Sequence, residues 1–286
     1  MNLEWFEWTR HNLKRGCSPS EIKSILKKNG FADHDILLAM TCETVAQWKL
    51  GKLPEGALSG DGELPKKSEA SEADYQALMK IRLLDDPRLQ RVTAEGVQLY
   101  SIPDFLSRSE CEALIGVINS KLRPSTITSG EDKSGFRTSS TCDLGDRNAK
   151  IVSKVDKKIA SAMGINLSWS EMIQGQKYEV GQEFKAHTDY FEPGTEEFKT
   201  YASDLGQRTW TFMIYLNNTR EGGETYFPNL DVSFSPKAGT AVIWNNLNSD
   251  GAPNPRTIHH GMPVSSGKKI IITKWFRAKG KGDPFI

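Results

Sequence analysis

Two short segments of the chain concentrate residue types that bind transition metals. His187 and Asp189 are separated by one residue, and the pair His259-His260 follows about 70 positions later. The chain has five histidines, and three of them fall in these segments. Proteins hold ferrous iron for oxygen chemistry with two imidazoles and one carboxylate on three corners of an octahedron, leaving three corners open. The residue types therefore indicate an Fe(II) site.

The spacing of His187 and Asp189 suits a β-strand, in which alternate side chains share a face. Both could then reach one ion. The pattern alone is weak, because a surface histidine beside a turn-forming aspartate would look the same. A third ligand must come from His259 or His260, since the other two histidines lie in a predicted helical N-terminal region.

Lys269 strengthens the prediction of oxygen chemistry. It follows His259 by ten residues, across a predicted turn at residues 263–267, and should lie on the next strand. Oxygen activation needs an electron-rich co-substrate, and a lysine beyond the metal could bind the far carboxylate of 2-oxoglutarate as a point charge. Lys268 is the rival for this role.

Composition excludes several classes of protein. Charged residues make up 26% of the chain and the formal net charge is +1, so no global field favours nucleic acid. No apolar run approaches the length of a membrane helix, and the N-terminus lacks the pattern of a secretory signal. We therefore predict a cytoplasmic protein that binds neither nucleic acid nor membranes. The four cysteines are scattered, which disfavours a disulfide framework and predicts buried thiols.

Three regions are expected along the chain. Residues 1–50 predict three short helices, at about 3–13, 19–30 and 33–45, that form either a small partner-binding module or a cap on the main domain. Residues 51–90 are a linker rich in Gly, Pro, Ser, Glu and Lys, with one helix predicted at residues 75–84. Residues 91–286 should form the catalytic domain.

The C-terminal region predicts an α+β fold that is mainly β. Helices are expected at residues 107–119 and 151–163, and Gly, Asn, Asp and Pro punctuate the strands that follow. The predicted strands are residues 171–178, 209–216, 232–234, 240–244, 258–264 and 269–277. Many short strands after a few helices favour a double-stranded β-helix, a jelly roll of the cupin type with supporting helices.

Residues 95–278 resemble the prolyl 4-hydroxylase branch of the 2-oxoglutarate/Fe(II) dioxygenases. Several motifs carry the resemblance in the same order and spacing. They are residues 178–184 with 187–191, Arg208-x-Trp210 with 215–217, 222–228 with 236–239, and 258–264 with 267–269 and 273–275.

The resemblance implies the following ligand set. His187, Asp189 and His259 match the iron ligands, and His259 is the first histidine of its motif, so His260 is a neighbour. Lys269 matches the anchor of the 2-oxoglutarate distal carboxylate.

Other positions match residues nearer the co-substrate and substrate. Tyr178 and Thr225 match positions that help to bind 2-oxoglutarate, although ordinary strand packing would also explain them. Arg208 matches a basic catalytic residue aimed at the substrate, although it could be a surface charge.

On the substrate side, Arg137 and Ser139 match an element beside a lid predicted at residues 126–135. A plain surface loop is the alternative there. Arg277 stands where the family has a substrate-binding histidine, which makes this side of the site different.

The implied reaction uses Fe(II), 2-oxoglutarate and dioxygen, with ascorbate to restore the iron. It releases succinate and CO2 and hydroxylates a C–H bond, most simply in a peptidyl proline of a peptide or protein substrate. Alternatives are an oxygenase that acts on another residue or a small molecule, a zinc hydrolase, and a non-catalytic jelly-roll binding module. The zinc hydrolase hypothesis gives no role to Lys269.

Overall fold

The chain divides into two compact units. One unit comprises residues 1–67 with 192–196, and the other comprises residues 68–191 with 197–286. The computed structural model describes residues 3–14, 19–42, 75, 77–78, 81–92, 96–125, 135–145 and 150–286. Most of the predicted linker and residues 126–134 of the predicted lid lie outside these ranges. No helix within them is both long and apolar enough to cross a bilayer.

The first unit contains the three predicted helices. Ile22 and Leu26 lie one turn apart on the second helix and bury against Ile36 of the third, as the spacing of apolar residues along a helix requires. The third helix ends at Thr41 with extended backbone at Cys42, so the predicted continuation is wrong at Cys42, and residues 43–45 lie outside the described residues. The helices are α1 Leu3–Lys14, α2 Pro19–Lys28 and α3 Asp33–Thr41.

Further helices are α4 Arg108–Asn119, α5 Lys150–Met163 and α6 Glu196–Tyr201. Ser107 caps α4 in a capping box with Glu110, which satisfies two backbone donors at the helix start. Short 3-10 helices cover Arg82–Asp85, Leu167–Trp169 and Pro255–Thr257. The helix predicted over residues 75–84 is confirmed at residues 75, 77 and 78, but it does not extend to residue 84, because Ile81 is extended and a 3-10 turn follows it.

Antiparallel strands dominate the second unit. They are β1 Gln90–Arg91, β2 Leu99–Ile102, β3 Arg123–Pro124, β4 Ser140–Asp143, β5 Gln174–Tyr178, β6 Phe184–His187, β7 Arg208–Tyr215, β8 Glu221–Gly222, β9 Thr225–Phe227, β10 Val232–Phe234, β11 Ala241–Asn245, β12 His259–Gly261, β13 Val264–Ser266 and β14 Lys269–Arg277. The large sheet has the order β1-β2-β11-β7-β14-β5-β4-β3, a second has the order β10-β9-β12-β6, and β13 pairs with β8.

Alternation along the central strands divides the core between the two faces of the large sheet. Ile270 and Ile272 of β14 pack in the cluster that contains α4 and α5. Ile271, between them, packs on the opposite face with Phe227 of the second sheet. The helices therefore cover one face and the smaller sheets cover the other, which confirms the predicted jelly-roll architecture. Cys42, Cys111 and Cys142 are buried free thiols, as predicted.

The strand predicted over residues 258–264 is interrupted. The chain leaves the second sheet after Gly261, and Val264 begins β13, which pairs with Gly222 of β8. The region predicted as a turn, residues 263–267, therefore contains a short strand. Gly222 has a φ of +73°, and a Cβ there would lie 2.4 Å from the Pro263 carbonyl oxygen, so this pairing requires glycine.

Candidate metal centre

His187, Asp189 and His259 lie together in the space between the two larger sheets. β6 ends at His187 and β12 begins at His259, and the two residues are direct partners in an antiparallel pair. One ligand atom from each of the three side chains lies within 4.8 Å of the others. His187 Nε2 is 3.9 Å from Asp189 Oδ1. Strand pairing thus joins two segments that are far apart in sequence.

Hydrogen bonds orient both imidazoles in the same way. His187 Nδ1 lies 2.7 Å from the Lys185 carbonyl oxygen, and His259 Nδ1 lies 3.0 Å from the Thr257 carbonyl oxygen. A carbonyl only accepts, so each Nδ1 carries the proton and each Nε2 presents a lone pair to the cluster. Hydrogen bonds of this kind commonly orient metal-binding histidines.

Protonation states in the cluster suit a metal ion. Burial lowers the pKa of both His187 and His259, which keeps the imidazoles neutral. Burial alone would raise the pKa of Asp189, but its polar surroundings, with the charge of Arg208 among them, lower it overall. Neutral imidazoles with an ionised carboxylate are the forms that ligate metals, and two nitrogens with one oxygen fit Fe(II).

His260 faces away from this cluster. Its Nε2 lies 2.8 Å from Glu183 Oε2, because neighbouring residues of a strand point to opposite faces. Phe184 follows Glu183, and its ring stacks on His187 with the centroids 3.5 Å apart. The structure therefore places His260 outside the cluster, where the motif position predicts it.

Lys269 lies fully buried at the start of β14. Its Nζ donates to the Gly223 carbonyl oxygen at 2.9 Å and lies 4.6 Å from the centre of the Tyr178 ring. Burial lowers the pKa of Lys269 to about 7. A buried ammonium group has three donors, so this site is chemically suited to an anion. The exposed neighbour Lys268 lies outside the core.

Gly261 places the lysine relative to the metal cluster. A Cβ at Gly261 would lie 3.5 Å from Lys269 Nζ, and Gly261 is two strand positions from His259. Two residues of β-strand span roughly 6–7 Å. The ammonium group therefore lies beside the strand that carries His259, near its second residue beyond the ligand.

Tyr178 and Thr225 are buried on the same side of the large sheet. Tyr178 pairs with Lys269 in the sheet, and its hydroxyl donates to Gln176 Oε1 at 2.7 Å. Burial raises the pKa of Tyr178, so the hydroxyl stays protonated. Thr225 Oγ1 lies 2.6 Å from the Tyr215 hydroxyl. Both predicted residues thus present hydroxyl groups in the interior near the lysine.

Arg208 and Arg277 share a half-buried carboxylate, that of Glu171, which the sequence analysis did not predict. Arg208 makes two hydrogen bonds to Glu171, at 2.6 and 2.7 Å, and Arg277 Nη1 reaches Glu171 Oε1 at 2.7 Å. Arg277 also donates to the Gly206 carbonyl oxygen. The guanidinium groups therefore form one network. Glu171 lies before its strand and carries no local pattern that would have identified it.

The network reaches the metal cluster through Arg208. Its Nη1 lies 3.4 Å from the Asp189 carbonyl oxygen, and its guanidinium carbon lies 3.9 Å from the Trp275 ring centre. A bulge in β14 near Arg277 shifts its pairing with β7. Strict alternation of side chains along β14 therefore ends before Arg277.

Arg137 approaches the cluster from another side. Its guanidinium carbon lies 4.7 Å from the centre of the Phe184 ring, which itself stacks on His187. Its Nη2 donates to Gln174 Oε1 at 2.9 Å. Ser139 is buried, and its hydroxyl lies 2.9 Å from that of Ser125. Both Arg137 and Ser139 act on the Tyr178 side chain, since burial raises its pKa, whereas the Arg137 charge and a hydrogen bond from Ser139 each lower it.

A jelly roll that encloses two histidines, a carboxylate and a buried lysine defines the class of 2-oxoglutarate- and Fe(II)-dependent oxygenases. Residues 173–277 match the 2OG-Fe(II) oxygenase superfamily. The chain belongs to this family and is a 2-oxoglutarate/Fe(II)-dependent dioxygenase of the prolyl 4-hydroxylase-like kind. The matched span contains the metal cluster and the lysine.

Known relatives support this assignment over about two thirds of the chain. Prolyl 4-hydroxylase 1 from Arabidopsis thaliana is 36% identical over 207 residues, which cover 66% of this chain and 71% of that protein. A putative prolyl 4-hydroxylase from Acanthamoeba polyphaga mimivirus is 30% identical over 200 residues, covering 70% and 82%. A viral collagen prolyl hydroxylase from Paramecium bursaria chlorella virus-1, solved with 2OG, is 28% identical with a TM-score of 0.50, covering 63% of this chain and 96% of that chain.

Proposed function

We propose that the protein hydroxylates a prolyl residue in a peptide or protein. The substrate C–H bond, dioxygen and 2-oxoglutarate would yield the C–OH product, succinate and CO2. The observation that carries the chemistry is the buried ammonium group of Lys269 beside the cluster of His187, Asp189 and His259. The proline preference is supported by the names of the relatives that match.

His187, Asp189 and His259 would hold Fe(II) in this proposal. The bound iron, with 2-oxoglutarate and dioxygen, supplies the oxidising chemistry, and ascorbate is proposed to restore iron that has become over-oxidised. The protein contributes the geometry. Both imidazoles are held in one tautomer by backbone carbonyls, so the ligand lone pairs are directed to one point before metal binds.

Lys269 would bind the distal carboxylate of 2-oxoglutarate while the keto acid end reaches the metal. Gly261 supports this orientation, because any side chain there would lie beside the Lys269 ammonium group. The hydroxyl groups of Tyr178 and Thr225 are proposed to hydrogen-bond the same co-substrate. Burial disfavours the charged form of Lys269, and a bound anion would favour that form again.

We assign the substrate side to Arg137, Ser139, Arg208 and Arg277. Arg137 is supported by its position over Phe184, one ring away from His187. Arg208 and Arg277 are proposed to shape the wall of the site, since Glu171 holds both guanidinium groups in place. Arg208 can also hold the backbone at Asp189.

Two proposals concern the chain beyond the catalytic chemistry. The helices α1–α3 are proposed to bind a protein partner, and Ile25 of α2 is an exposed apolar side chain that could contribute. A cytoplasmic location stays a prediction from sequence. Membership of the oxygenase family favours the Fe(II) hypothesis for this site over the zinc hydrolase and the non-catalytic binding module.

Substrate-dependent oxidation tests the proposed function. The full chain is incubated with Fe(II), 2-oxoglutarate, ascorbate and either poly-L-proline or a Pro-Pro-Gly repeat peptide. We expect succinate formation to rise with peptide and mass spectrometry to find an added oxygen, +16 Da, on proline. Matched peptides with alanine in place of proline should give neither signal.

Two controls separate the metal chemistry from the substrate preference. His187→Ala should abolish succinate formation with every peptide, because it removes a metal ligand. Succinate formation by the wild type without oxidation of any proline peptide would refute the proline preference and keep the oxygenase. Full activity in His187→Ala would refute the metal site itself.

A further inference from the structure

A chain of two hydrogen bonds supports Asp189 from behind. The Thr211 hydroxyl donates to Asp189 Oδ2 at 2.7 Å, and Asn246 Nδ2 donates to Thr211 Oγ1 at 2.9 Å. Thr211 and Asn246 are both 0% exposed, so water does not compete for these bonds. Neither residue belongs to the motifs that identify the metal ligands.

The two hydrogen bonds make the two oxygens of the Asp189 carboxylate different. Oδ2 accepts the proton of Thr211, whereas Oδ1 is the oxygen that lies 3.9 Å from His187 Nε2. A hydrogen bond to a charged acceptor is stronger than one between neutral groups. Rotation of the carboxylate would break this bond in a dry interior, where an unmatched polar group is costly.

The number of protons on each group determines which one donates in each of the two hydrogen bonds. An ionised carboxylate only accepts, and a threonine hydroxyl has one proton. Thr211 must therefore donate its hydrogen bond to Asp189, and its oxygen must accept one from Asn246. The group of Asn246 that faces Thr211 is consequently the NH2, which prevents the hydroxyl from turning its proton away from Asp189.

We propose that Thr211 and Asn246 are positioning residues that present a single oxygen of Asp189, Oδ1, to the metal. By holding Oδ2, they keep the carboxylate from taking a second coordination position, which the co-substrate or dioxygen needs. This inference rests on the proposed metal site. Partners that orient a ligand in this way typically affect metal affinity by about 10–100-fold.

Metal binding tests the role of Thr211 without relying on turnover. Mn(II) affinity is measured by electron paramagnetic resonance of the free ion, using the full chain. Thr211→Val keeps the shape and removes the hydroxyl, and we expect its Mn(II) Kd to rise about 10–100-fold. Thr211→Ser keeps the hydroxyl and should remain within about threefold of the wild type. Anaerobic Fe(II) and 2-oxoglutarate should also give an altered visible charge-transfer band in Thr211→Val.

Thr209→Val is the matched control. Thr209 is also buried on β7, two positions away on the same face, and its hydroxyl makes no hydrogen bond within the described part of the chain. This substitution removes the same group from the same strand, so Mn(II) affinity should not change. Equal Kd values for wild type and Thr211→Val would overturn the inference, whereas a wild type that binds no Mn(II) would overturn the metal site as well.

A double-mutant cycle tests the role of Asn246. Asn246→Leu should weaken Mn(II) binding less than Thr211→Val, because the hydroxyl remains but can turn. Since Asn246 acts through that hydroxyl, the double variant should bind no more weakly than Thr211→Val alone. Additive losses would overturn the two-bond chain. If Thr211→Val does not fold, a rise of threefold or more in the Kd of Asn246→Leu supports the inference and an unchanged Kd overturns it.

Discussion

Replacement of Lys269 by methionine should stabilise the protein without ligand and strongly reduce its stabilisation by 2-oxoglutarate. Lys269 is buried with a pKa of about 7, against an ordinary value of 10.5. Folding at neutral pH therefore works against protonation of this side chain. Methionine keeps an unbranched apolar side chain and removes the charge, so the two effects of Lys269 become separable.

The magnitude follows from the pKa difference. At pH 7 the lowered pKa means that Lys269 reduces the stability of the folded protein by about 4 kcal/mol. The methionine variant also loses the hydrogen bond to the Gly223 carbonyl oxygen, which reduces its gain in stability by about 1–3 kcal/mol. The variant should thus be about 2 kcal/mol more stable at pH 7, which raises the melting temperature by about 4–8 °C.

The pH dependence has a defined sign. Between pH 7 and 10.5 the unfolded chain holds more protons at this lysine than the folded chain does, so wild-type stability rises with pH. At pH 9 the loss due to Lys269 falls to about 2 kcal/mol, and the advantage of the variant should disappear. Lys268→Met, which changes an exposed neighbour, should show neither effect.

Thermal unfolding with and without ligand measures both effects. In the presence of Mn(II), 2-oxoglutarate at 100 times its Kd should stabilise the wild type by about 2.7 kcal/mol and Lys269→Met far less. The reasoning is refuted if 2-oxoglutarate stabilises the variant as much as the wild type. It is also refuted if the stability difference between them is the same at pH 7 and pH 9.

Three further outcomes are expected from other features of the structure. Binding of 2-oxoglutarate to the Mn(II) protein at pH 8 should take up about 0.9 proton at Lys269, measured by calorimetry in buffers of different ionisation enthalpy; no uptake would contradict the assignment of the anion site. Glu171→Gln leaves the buried guanidinium group of Arg277 and the half-buried one of Arg208 without their carboxylate, and should cost about 3 kcal/mol of stability in urea unfolding at pH 7. Burial opposes the lowered pKa of Glu171 but Arg208 and Arg277 outweigh it, so this contribution should be lost as pH falls, and a pH-independent difference would count against it. Ser107→Ala should cost about 1 kcal/mol by removing the α4 cap, and a smaller loss than in Ser109→Ala would contradict the capping box.

Local sequence patterns predicted a metal site at His187 and Asp189 and the strand β14, whereas the choice of His259 over His260 came from the family resemblance. The i, i+2 spacing of His187 and Asp189 depends only on strand geometry, whereas the ten residues from His259 to Lys269 include β13, which the predicted turn did not anticipate. The predicted bounds of β14 agree with the structure, because β-branched and aromatic residues fill it between Gly267 and the charged C-terminal segment. The helix predicted over residues 75–84 is correct at its start but too long, since apolar periodicity alone does not exclude a change to extended backbone at Ile81.

The sequence by itself determined the kind of chemistry, and the tertiary structure decided the surroundings of each reacting group. Thr211 lies 22 positions from Asp189, and Arg277 lies 106 positions from Glu171. No local period encodes such pairs, because strand pairing and side-chain packing bring them together only in the folded chain. The burial that lowers the pKa of Lys269 has the same origin, since a lysine in a sequence has no pKa shift until the sheets exclude water from it.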